Sequence, residues 1–140
     1  MEGLGGAASV IAVIDISAKV ASLCYQYFNE VRSAKGDIER LQTEVSAINA
    51  ILEGAQQLLD GPGSNRLSTS KRLRQSLTDC HTQLKDVKDR LEPGTARKAM
   101  RRFGWQTLKW PFKSKEIEKV ISALGRCKSN ISEALQVDQT

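Results

Sequence analysis

The chain's 140 residues suit one domain with one core, and three prolines, 5% aromatic residues and many Ala, Leu, Lys, Glu and Gln favour helix over strand. Three cysteines, Cys24, Cys80 and Cys127, are an odd number in a chain that opens Met1-Glu2 rather than on the positive region of a secretory signal. They are expected to be reduced thiols of a cytosolic protein, which excludes a disulfide framework.

The net charge of +5 is concentrated in one place. Arg97, Lys98, Arg101, Arg102, Lys109, Lys113 and Lys115 lie between Pro93 and Lys115 with no acid among them, so this stretch is +7 and the remainder −2. Such a patch attracts phosphate-bearing surfaces, anionic lipid or nucleic acid, over a Debye length of about 8 to 10 Å.

The first predicted element begins in MEGLGGAASVIAVI, Met1 to Ile14, which carries no charge beyond Glu2 and is apolar on every side from Val10 onward. A segment of that kind is either the central element of a core or one able to enter a membrane. Gly3 to Ile14 is too short for a lone span, which needs about 20 residues. Position two is Glu, not the Gly that myristoylation requires. Taken as Ala7 to Phe28, the helix is about 33 Å long, close to the bilayer's hydrocarbon thickness. Asp15 and Lys19 interrupt it, each at about 2.5 to 3.5 kcal/mol at a membrane centre, and are expected to face one another as an i, i+4 pair or to line a pore in an oligomer. From Val20 onward, Val20, Leu23, Cys24, Tyr27 and Phe28 form an ordinary amphipathic face.

The second element is a heptad seam, Ile38, Leu41, Val45, Ile48, Leu52, Ala55 and Leu59, ended by Asp60-Gly61-Pro62-Gly63. The third repeats it with Leu73, Leu77, Cys80, Leu84, Val87 and Leu91, begins near Ser68 to Ser70 and stops at Pro93-Gly94. Joined by a short polar loop, the two are expected to be antiparallel neighbours. The fourth carries Ile117, Val120, Ile121, Leu124, Ile131 and Leu135, with Ser114 as its expected N-cap. Between the third and fourth, Thr95 to Phe112 holds both tryptophans, and Ala96 to about Lys109 is expected to form a short extra helix across the bundle. Trp105, Trp110 and Phe112 either pack this connection onto the bundle or sit at a lipid interface or stack on bases. The fold class is therefore all-α, an up-down four-helix bundle with a short extra helix between the third and fourth long helices, spanning 1–140 as a single domain.

Enzyme signatures are missing from the sequence. His81 follows Cys80, and adjacent helical residues point about 100° apart, so they do not form a nucleophile and base pair. Gly3, Gly5 and Gly6 follow no strand and are not a dinucleotide fingerprint. One His and three scattered Cys do not make a zinc site. The expectation is a non-enzyme with no cofactor and no metal.

Four segments, EGLGGAASVIAVIDISAKV, GDIERLQTEVSAINAILEGAQQLL, ARKAMRRFGWQTLKWPFKSKEIEKVI and SEALQVDQT, resemble the N-terminal domain of fungal STAND, or NOD-like, receptors. That resemblance implies a HeLo-like four-helix domain preceding a nucleotide-binding oligomerisation domain and a repeat sensor, similar in architecture to the bundle of the mammalian necroptosis executioner pseudokinase and to plant helical resistance domains. By the same analogy Gly3, Leu4, Gly5, Gly6, Ala8, Val10, Ile11, Val13 and Ile14 would insert into membrane. The expected function is a cytoplasmic cell-death effector that self-associates, binds anionic lipid through Arg97, Lys98, Arg101, Arg102, Lys109, Lys113 and Lys115, and permeabilises the plasma membrane. The alternative is a helical adaptor that binds a protein partner and never touches lipid. No nucleic acid is expected as a partner.

Overall fold

The computed structural model of the chain describes residues 10–59, 71–92 and 109–139. They form four helices, α1 (Val10–Glu30), α2 (Lys35–Leu59), α3 (Lys71–Leu91) and α4 (Ser114–Gln139), and no strand occurs among the described residues. The expected short helix over Ala96 to Lys109 lies outside the described residues, apart from Lys109 itself, which is exposed and not helical.

Each helix follows from its apolar spacing. On α2, Ile38, Leu41, Val45, Ile48, Leu52 and Ala55 are all buried, and on α3 so are Leu73, Leu77, Cys80, Leu84, Val87 and Leu91. On α4 the stripe runs through Ile117, Leu124, Cys127, Ile131, Ala134 and Leu135. Val120 and Ile121, expected in the core, are only partly buried and flank it. The reason is angular: Ile117 and Leu124 are seven residues apart on the central line, which leaves 120 and 121 on its two shoulders. Ser114 is also not the cap of α4. The Lys113 carbonyl accepts the first helical bond from the Ile117 N–H (2.9 Å), and the Glu116 carboxylate returns to accept from the Lys113 N–H (2.8 Å). Lys113 is therefore the N-cap of a half capping box, with Glu116 at the third helical position.

The helices stand in a square. α1 packs on α2 and α3, and α4 packs on α2 and α3, while the described backbones of α2 and α3 do not approach closely and lie diagonally opposite. This corrects the expectation that the two heptad helices are neighbours. A heptad stripe specifies a buried face but not the helix that covers it, and here α1 and α4 each cover both. Direction does follow the up-down order. Asn49 of α2 meets Ser17 of α1 across a tight turn, Arg72 and Arg90 of α3 pair with Glu133 and Glu116 of α4, and Arg40 and Glu44 of α2 pair with Glu118 and Lys128 of α4. Hence α1 is antiparallel to α2, α3 to α4, and α2 runs parallel to α4.

Candidate functional site

The inner face of α1 presents Val10, Val13, Ser17, Val20, Cys24 and Tyr27 to the core, alternating three and four apart. Ser17 is the one polar residue in that row besides the tyrosine, and it is fully buried. Its hydroxyl donates to the Ile14 carbonyl (2.8 Å) and accepts from the Asn49 side-chain amide (2.8 Å), so the burial carries no unmatched polar group there and the register of α1 on α2 is set. Farther along, the buried Tyr27 hydroxyl donates to the Leu91 carbonyl at 2.7 Å. Leu91 ends α3, where backbone carbonyls have run out of helical partners.

A strap of residues 109–113 lies against this end. The Trp110 ring meets Tyr27 edge-on, with centroids 5.3 Å apart, and Phe112 packs on Trp110 at 5.2 Å. Arg90 covers the outer side: its guanidinium sits 4.3 Å over the Phe112 ring, donates to the Pro111 carbonyl and forks onto Glu116. Hydrogen bonds from Arg90 and then from the Lys113 N–H hold the Glu116 carboxyl below its ordinary range. Of the two weighed roles for the aromatics, packing is what Trp110 and Phe112 do in this bundle. Trp105 lies outside the described residues.

The candidate residues divide accordingly. Gly3, Leu4, Gly5, Gly6 and Ala8 lie outside the described residues, as do Arg97, Lys98, Arg101 and Arg102. Val10 and Val13 are buried at 5% and 0% exposure, Ile14 is partly buried, and Ile11 is 57% exposed. Lys109, Lys113 and Lys115 are exposed at and before the start of α4, so the described part of the basic stretch is on the surface. Asp15 and Lys19 do not pair with each other in this bundle. Lys19 reaches Glu92 instead (3.6 Å), next to the Tyr27 to Leu91 bond, and Asp15 is exposed. The Glu92 carboxyl is held low, first by Lys88 and more weakly by Lys19.

Sequence reasoning passed over Ser17, Asn49 and Arg90. Ser17 had a legible signal, a hydroxyl on an otherwise apolar row. Arg90 had none, because its partners come from the strap and from α4. Outward from the bundle, α1 shows Ile11 and Tyr25 (62% exposed), with the small residues Ala18 and Ser22 also exposed on the same side. No cluster of three or more His, Cys, Asp or Glu side chains placed to hold a metal ion occurs among the described residues.

These features define a four-helix bundle domain whose first helix is anchored through Ser17 and Tyr27 of its buried face and carries exposed apolar side chains on its outer face. The chain belongs to the fungal N-terminal domain family described as pigment biosynthesis cluster protein PigL N-terminal, whose model matches residues 1–138. No curated protein and no solved structure matches the chain.

Proposed function

We propose that this is the HeLo-like effector domain of a fungal STAND or NOD-like receptor, cytoplasmic and closed until clustering by a downstream nucleotide-binding oligomerisation domain frees α1 to enter the plasma membrane. The domain acts without catalysis, by self-association and permeabilisation. One observation carries this reading: α1 is long and apolar enough to cross a membrane, yet it leaves Ile11 and Tyr25 exposed on its outer side. What sets α1 apart from the other three helices is that its uncovered side is apolar as well. Moving Val10 and Val13 from the core to lipid exchanges one apolar surrounding for another, so their transfer is nearly neutral. The cost lies in Asp15, in Lys19 with its lost Glu92 contact, and in the polar anchors Ser17 and Tyr27. Arg97 to Lys115 would supply about 1 kcal/mol of attraction per basic residue near an anionic surface.

Leakage of dye from anionic and neutral vesicles, with the domain forced to oligomerise, tests the reading. Leakage confined to clustered protein on anionic vesicles is expected. Intact vesicles under all conditions, with the clustered domain still folded, reject it.

The exposed row Ile11, Ala18, Ser22 and Tyr25 favours a second reading. With the exposed Asp15 between Ile11 and Ala18, its spacing of four, three, four and three matches the seam that a partner helix occupies in a coiled coil, and the small side chains of Ala18 and Ser22 leave room for that helix. An adaptor would use this row to bind a protein helix, leave vesicles intact and lose its partner on Tyr25→Asp.

A further inference from the structure

The contact between α3 and α4 contains two thiols with no part in the clamp on α1. Arg72 pairs with Glu133 at one end of this antiparallel contact, and Arg90 with Glu116 at the other. Between those anchors the register puts position 80 opposite 125 or 126, at the level where Leu124 and Cys127 are buried and Arg126 is exposed. Cys80 is 0% exposed and Cys127 7%. Both side chains face the α3 to α4 contact at this level, and the two thiols influence one another. Cys127 also borders an open cavity of about 240 Å³, lined by Asp79, Thr82, Arg126 and Asn130 among others, so a small reagent has a route to its sulfur.

We propose that Cys80 and Cys127 form a dithiol that a small peroxide oxidises to a disulfide, covalently stapling α3 to α4. The Cys127 thiolate attacks one peroxide oxygen. The O–O bond breaks, the other oxygen leaves and takes a proton, and Cys127 becomes a sulfenic acid. Cys80 then loses its proton, attacks the Cys127 sulfur and expels hydroxide, which that proton converts to water. Two thiols and one hydrogen peroxide give one disulfide and two waters.

Access assigns these roles: Cys127 borders the cavity and Cys80, fully buried, does not. The neighbouring Cys80 thiol, with the Arg126 charge as a smaller contribution, holds the Cys127 thiol below its ordinary range, despite burial and Asp79. Cys80 is pushed the opposite way, first by Cys127 and then by burial, in keeping with its place off the cavity wall. Cys24 on α1 is an internal control. It is fully buried, and burial pushes its thiol up to about 12.

Treatment of the folded chain with hydrogen peroxide, followed by alkylation of free thiols and non-reducing peptide mapping, tests the proposal. The expected product is a Cys80 to Cys127 linked peptide within one chain, with Cys24 alkylated, a higher urea midpoint and full reversal by reductant. In Cys80→Ser, Cys127 is expected to stop at the sulfenic acid and be trapped by dimedone. Should that variant not fold, mapping of the parent chain decides alone. Alkylation of both Cys80 and Cys127 after peroxide, a link through Cys24, or a disulfide between two chains would each overturn the proposal.

Discussion

The Tyr27 hydroxyl lies 2.7 Å from the Leu91 carbonyl, in a buried bond that joins the last turn of α1 to the last residue of α3 across 64 positions of sequence. It ties the proposed effector helix to a helix that the sequence pattern does not identify as its neighbour. Tyr27→Phe keeps the ring against Trp110 and leaves the carbonyl short of this donor. A loss of about 1 to 3 kcal/mol is expected, the range for an unmatched buried polar group, in urea denaturation. A change below a few tenths of a kcal/mol would show that the bond is dispensable.

Core truncations are expected to cost more. Ile48 on α2 is 1% exposed and Leu84 on α3 is 0% exposed. Ile48→Ala or Leu84→Ala should lower stability by about 2 to 5 kcal/mol each, from lost burial and the cavity that remains.

In α2, Gly54 is exposed, in mid-helix, and a methyl group there meets nothing within 4 Å. Gly54→Ala should raise stability by about 0.5 to 1 kcal/mol, since it removes backbone freedom from the unfolded chain without a clash. A rise in thermal midpoint with an unchanged helical spectrum is the expected result.

Stability should fall on both sides of neutral pH. The carboxyls of Glu116, Glu118 and Glu92 are held below their ordinary 4.5 by Arg90, Arg40 and Lys88 respectively, each with smaller contributions from neighbours. A depressed folded value gives stability that is present above the unfolded value and lost as pH falls through the folded one, so the loss belongs below 4.5. These pairs are exposed, and salt should shrink the effect. Glu116→Gln is expected to flatten the acid limb. On the alkaline side, Cys24 rises from an ordinary 9.0 to about 12, so its contribution is complete below 9.0 and disappears as pH climbs to about 12. Cys24→Ala should remove that alkaline dependence.

Much of this fold was legible in the amino-acid order, because a helix that buries one face must repeat its apolar residues every three or four positions. Ile38 to Ala55 and Leu73 to Leu91 show it, every seam position along both being buried. What periodicity does not encode is the partner of each stripe. The diagonal placement of α2 and α3, with α1 and α4 each packed on both, is a property of all four helices together. The caps were partly legible: Lys113 has little propensity for an N-cap, and only the return of Glu116 identifies it. Of the candidate site, the apolar breadth of α1 was legible. Its anchors at Asn49 and Leu91 are long-range contacts with no local signature.

Ile11 separates the bundle from the proposed membrane action. Unlike Val10 and Val13, it is 57% exposed, so a charge there leaves the folded core intact while opposing entry into lipid. The decisive measurement is dye leakage from anionic vesicles by oligomerised parent and Ile11→Asp domains of equal helicity and thermal midpoint. The account predicts leakage by the parent and at least a tenfold loss in the variant. Equal leakage by the two would contradict insertion of this segment, and no leakage by the oligomerised parent would contradict the effector function itself.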